Sequence, residues 1–79
     1  MRIIAEIPHP QFKISIFSWN SKYLIKIELG NFEQVFKLKE DEVIGLEDVK
    51  KIITETFLEK TLKNFIEMRA AFSDSFNKL

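Results

Sequence analysis

QFKISIFSWNSKYLIKIELGNFEQVFKL, residues 11–38, decides the fold. Apolar and polar residues alternate here with the period of a strand, interrupted by two turn pairs, Asn20-Ser21 and Gly30-Asn31. Both pairs suit the positive φ angles that two-residue hairpins demand. Closing the first turn sets Phe12 opposite Leu29, Ile14 opposite Ile27, Ile16 opposite Ile25 and Ser18 opposite Tyr23. Closing the second sets Leu29 opposite Phe32, Ile25 opposite Phe36 and Tyr23 opposite Leu38. The two registers agree: one face is apolar across all three strands, with Gln34 as its only clear polar exception, and a slip of one residue would destroy that agreement.

The other face pairs Lys13 with Glu28, Ser15 with Lys26 and Lys37 with Leu24. It also carries Phe17, Trp19, Leu24 and Val35, of which Phe17 and Leu24 are cross-strand neighbours. These four form a candidate partner patch. Upstream, Arg2 to Ile7 is rich in β-branched residues and predicts a fourth strand, although Ile3 and Ile4 adjoin and break strict alternation. It ends at Pro8-His9-Pro10, which marks a connection or an edge because proline cannot donate to a ladder. The pattern leaves open whether this strand lies beside residues 12–18 or crosses to another chain.

After Lys39-Glu40-Asp41-Glu42 the period changes to that of a helix. Val43-Ile44-Gly45 reads as a short turn, and the helix is predicted to start near Leu46, with Glu47 and Asp48 complementing its dipole. Glu47 with Lys51 and Glu59 with Lys63 are spaced as i,i+4 pairs. Leu46, Val49, Ile53 and Phe57 line one stripe; Leu58, Leu62, Phe65, Arg69, Phe72 and Phe76 line another, displaced by roughly a third of a turn. A continuous helix of these residues would be roughly 45 Å long, while strands of about eight residues span about 27 Å and a four-strand sheet is about 19 Å wide. Such a helix either breaks near Lys60-Thr61 and folds back or overhangs the sheet. With no glycine or proline between residues 46 and 79, the continuous helix is the expectation, and the overhanging stripe calls for a second copy of the chain as its cover. Leu62, Phe65, Arg69, Phe72 and Phe76 are the candidate self-association residues.

Composition bounds the rest. A chain of 79 residues supports one core, so a single domain over residues 1–79 is expected. It has no cysteine and one histidine, which leaves oligomerisation as the stabilising device open to a small scaffold. The 12 basic and 12 acidic residues give a net charge of zero, against a polyanion held by bulk charge. No apolar run reaches a membrane span of about 18 to 20 residues, and the N-terminal stretch lacks the apolar core of a signal peptide, so the cytoplasm is the expected compartment.

Few residues suggest catalysis. His9 sits between two prolines, without the cysteines or second histidine of a zinc site, and reads as a turn residue. No serine stands in a nucleophile-elbow context, and two glycines cannot build a phosphate-cradling loop. The acidic run Glu40, Asp41, Glu42, Glu47 and Asp48 lacks calcium-loop spacing and reads as a solvated linker with dipole complementarity. Trp19 and Tyr23 flank the first hairpin near Lys13, Lys22 and Lys26, as in sheets that stack single strands, but the register puts them on opposite faces. Arg69 interrupts the second helical stripe, either to pair across a dimer seam or to reach water.

These readings predict an α+β fold, an antiparallel meander of about four strands packed on one face by a C-terminal helix. The function expected is a non-enzymatic interaction module, homodimeric through its helix, with a further protein partner on the sheet and with no cofactor, metal or membrane. The alternative is a small-ligand or single-stranded nucleic-acid binder using Lys13 and Lys26 on the basic side of the sheet.

Overall fold

The computed structural model describes residues 1–79 and shows a four-stranded antiparallel sheet in the order β1-β2-β3-β4, followed by two helices. The strands are β1 (Arg2–Ile7), β2 (Lys13–Trp19), β3 (Lys22–Leu29) and β4 (Phe32–Lys39); the helices are α1 (Gly45–Ile52) and α2 (Glu55–Phe76). A 3₁₀ turn, Glu40–Glu42, links β4 to α1. The register between β2, β3 and β4 is the one the alternation requires: Ile16 faces Ile25, Ile25 faces Phe36, and Lys13 faces Glu28. Asn20 and Ser21 both take positive φ, 54° and 60°, the signature of a type I′ turn, whereas at the second turn only Gly30 does, as a type II′ turn requires.

β1 lies beside β2 of its own chain. Its imperfect alternation has a structural cause: Ile3 pairs with Phe17 but Ala5 with Ile16, so Ile4 is an extra residue in a β-bulge. That device turns Ile4, Ala5 and Ile7 towards the core while Ile3 stays on the other face.

The helix is not continuous, contrary to the sequence expectation, and the break falls at Ile53-Thr54 rather than near Lys60-Thr61. No glycine or proline is needed. Ile52-Ile53-Thr54 is a run of β-branched residues with poor helix propensity, and Thr54 acts as an N-cap, its Oγ1 accepting the backbone N–H of Phe57 at 3.1 Å. The offset between the two apolar stripes is thereby resolved: each helix turns its own stripe to the sheet, Val49 from α1 and Leu58 and Phe65 from α2. At the start of α1, Gly45 takes φ +72° and the Asp48 carboxylate accepts the N–H of Ile44 at 2.9 Å. The ion pairs on α1 are Glu47 with Lys50 and Asp48 with Lys51, at i,i+3 spacing; Glu59 and Lys63 form none.

Phe12, Ile14, Ile16, Ile25 and Ile27 of the sheet meet Val49, Leu58 and Phe65 in one core. The polar exception, Gln34, is accounted for by α2. Its Nε2 donates to the Thr61 carbonyl at 3.0 Å and its Oε1 accepts from Asn64 Nδ2 at 3.4 Å. Thr61 is itself buried, with its hydroxyl donated to the Phe57 carbonyl at 2.9 Å, so the helix approaches β4 closely with no buried polar side-chain atom left unpaired. No helix is long and apolar enough to cross a membrane.

Candidate interaction site

α2 extends past the end of the sheet. Its 22 residues span about 33 Å at about 1.5 Å per residue, whereas the 8 residues of β3 or β4 span about 27 Å. The consequence runs along one stripe. Phe65 is 3% exposed, with its ring 5.9 Å from that of Phe12, and Leu62 is packed against the same core. Two and three turns further, Phe72 and Phe76 are 59% and 58% exposed. Phe72 touches Phe32 edge-on at 6.0 Å and stacks on Phe76 at 5.9 Å, and both rings remain more than half exposed.

The five candidate self-association residues therefore divide. Phe65 belongs to the chain's own core because the sheet is still beneath it, and Leu62 is half-buried. Phe72 and Phe76 lie on the surface, and Ile66, which sequence reasoning missed, joins them at 60% exposure. Arg69 forms no ion pair. It borders a groove of about 470 Å³ between the β3–β4 turn and α2, floored by Leu62 and Phe65 and walled by Leu29, Phe32 and Ile66. Glu67 and Asp74 are each two residues from Arg69 or Phe72 and so fall on the opposite side of the helix.

The second surface is the sheet face turned away from the helices. The patch of Phe17, Trp19, Leu24 and Val35 is present there and is extended by Ile3, the cross-strand partner of Phe17. Its members differ in access. Leu24 is only 5% exposed among its neighbours, Phe17 is half-buried, and Ile3, Trp19 and Val35 are open. Lys26 lies over the Phe17 ring at 5.9 Å and bridges Glu28 and Glu33 at 3.8 and 3.4 Å. That engagement takes one of the two lysines named for an anionic ligand, and the other, Lys13, faces Glu28. Trp19 is on this face while Tyr23 packs on the core, so no single stacking platform exists.

The remaining singled-out residues have local structural work. His9 Nδ1 accepts the backbone N–H groups of Gln11 and Phe12 at 3.1 and 3.3 Å, and its ring stacks on Phe12 at 4.9 Å. The imidazole thus holds the turn between β1 and β2. Glu42 accepts the N–H of Lys39 and Asp48 that of Ile44, while no three His, Asp or Glu side chains converge on a point where a metal ion could sit.

Compared with family models, curated proteins and solved structures, the chain matches none.

Proposed function

We propose that this chain is a non-enzymatic interaction module that self-associates through the distal half of α2. The observation that carries the reading is the passage of one apolar stripe from core to solvent. Leu58 and Phe65 are buried by the sheet, and Phe72 and Phe76 continue the stripe beyond its end. At roughly 200 Å² per phenylalanine, the two rings leave about 230 Å² of apolar surface in water.

The neighbourhood is self-complementary in shape. The groove borders residues 62–69 and the projecting rings are at 72 and 76, so an antiparallel pair of α2 helices crossing near Arg69 brings each copy's Phe72 and Phe76 to the other's groove. Arg69 then meets its own copy near the two-fold axis, and no carboxylate on that side of α2 is available to pair with it. A cytoplasmic setting belongs to the same reading, and the cysteine-free composition is compatible with it. The alternative, a small ligand or a single-stranded nucleic acid on the basic side of the sheet, has less support because Lys26 is held by two carboxylates and Lys13 faces a third.

Light scattering behind size exclusion, over a hundredfold range of loading, tests the proposal. The native chain should reach at least twice 9.4 kDa, and a Phe72→Ser, Phe76→Ser variant, folded by circular dichroism, should shift to lower mass at every loading. A native chain that stays monomeric, or a variant with an unaltered mass profile, refutes it.

A further inference from the structure

The sheet face turned away from the helices carries an ordered charge pattern. On β3 and β4, Lys22 sits directly opposite Lys39 at one end and Glu28 directly opposite Glu33 at the other. Like charges placed directly across a sheet repel. The glutamates are relieved by Lys26, which bridges both. The lysines form no such bridge: neither Lys22 nor Lys39, nor Lys37 beside Lys39 on β4, makes an ion pair, although Glu40, Asp41 and Glu42 of the 3₁₀ turn border the same end of the sheet. A lysine pair at one end and a glutamate pair at the other thus lie on one face, with Leu24, Val35 and the stems of Lys26 and Lys37 between them.

We propose that this face is a second self-association surface, on which two copies pack face to face about a two-fold axis lying across the strands. Such an axis reverses strand direction, so each row of one copy covers the mirror-position row of the other. With the axis level with Ile25 and Phe36, Lys22 covers Glu28 of the second copy and Lys39 covers Glu33, and each pairing occurs twice. The same operation holds on β2, where Trp19 covers Lys13, a cation over an aromatic face, and Phe17 lies level with Ser15, which its own chain already buries. The central rows bring Leu24 over the Lys26 stem and Val35 over the Lys37 stem, apolar on apolar, with the Lys37 ammonium free to reach the rim from an edge strand. Sheets packed this way stand about 10 Å apart and rotated by about 30°, a gap and an offset that lysine and glutamate side chains span.

Area sets the strength. Four strands about 4.8 Å apart and about 23 Å long cover roughly 440 Å² in projection, below the roughly 800 Å² per partner of a standard stable interface. The contact is therefore a weak one that salt dissociates.

The test is made in the Phe72→Ser, Phe76→Ser background, where the α2 contact is absent, so this surface and the α2 surface fail separately. At low salt the mass of this variant should rise with concentration towards twice 9.4 kDa and fall back at high salt. Adding Lys22→Glu with Lys39→Glu, or alternatively Glu28→Lys with Glu33→Lys, should give folded chains that remain monomeric. Mixing the two should restore a one-to-one dimer, because each row then faces opposite charge again. A parent that stays monomeric at millimolar concentration and low salt overturns the proposal, as does a mixture of two folded charge variants that fails to associate. Tight, salt-sensitive binding of a mixed single-stranded oligonucleotide by the monomeric parent, lost in the Lys22→Glu, Lys39→Glu chain, would overturn it in favour of a nucleic-acid surface.

Discussion

Phe65 and Phe72 occupy one stripe of one helix, yet truncating them should have opposite consequences. Phe65 is 3% exposed and fills the core against Phe12. Phe65→Ala therefore removes a buried ring and leaves a cavity, at a cost of about 3–5 kcal/mol. Phe72 is 59% exposed. It buries roughly 80 Å² of about 200 Å², worth at most about 2 kcal/mol at about 25 cal/mol per Å², and nearer 1 kcal/mol once the compactness of the unfolded chain is counted. Against a total stability of roughly 4–12 kcal/mol for a chain of this length, Phe65→Ala approaches complete unfolding and Phe72→Ala does not. Urea denaturation followed by far-ultraviolet circular dichroism separates them, at low protein concentration so that association adds nothing to the apparent stability. The mass profile should respond in the reverse order, with folded Phe72→Ala losing assembly. Equal losses of stability for the two variants would show that the distal turns of α2 are packed like the proximal ones, and would remove the basis for a surface stripe.

Three further outcomes are expected. Ser21→Gly should stabilise the fold by about 0.5–1 kcal/mol, read from the urea midpoint, because Ser21 holds φ 60° in a turn whose favoured pair is Asn-Gly. Gln34→Ala should cost about 1 kcal/mol for the bond to the Thr61 carbonyl, while Gln34→Leu should lie close to neutral, since that carbonyl can keep its helical partner and Asn64 faces water; the contrast is measured by the same denaturation. Arg69→Leu should tighten self-association severalfold by sedimentation equilibrium, because it removes two like charges from the proposed axis; weaker association would instead mean that Arg69 finds a carboxylate across the seam.

The sheet was legible because two independent signals coincide. The period of two sets which face is apolar, and Asn20-Ser21 and Gly30-Asn31 set where the chain reverses, so the register has one solution. The bulge at Ile4 was visible only as a flaw in the alternation, since adjacent isoleucines do not say which neighbouring strand will absorb the extra residue. The helix break was also written in the chain, in the Ile52-Ile53-Thr54 run and the offset between stripes. Neither glycine nor proline is needed for it, because a threonine cap at a β-branched junction suffices. Gln34 announced a polar partner on the core face, but that partner is a carbonyl 27 residues away, settled only when α2 docks. Helical periodicity gives direction around an axis and not position along the sheet beneath it, which is why Phe65 and Phe72 looked alike.

The two proposed surfaces have different physical characters and lie on different parts of the molecule. Only 11 of 79 residues are buried, so this chain has little core to spare and much to gain from a neighbour. The distal α2 stripe is apolar, and excluded salts such as sulfate strengthen contacts of that kind. The outer sheet face relies on opposed rows of lysine and glutamate, which simple salt screens. Two self-complementary contacts on one chain close into a tetramer when their two-fold axes meet at right angles and otherwise propagate into an open assembly. Raising sodium chloride should therefore reduce the assembly in one step to the α2-linked dimer, while the α2 double-serine variant should lose association altogether under the same conditions. Salt acts as a selective reagent for one of the two surfaces, and the mass that survives it identifies the contact that is hydrophobic.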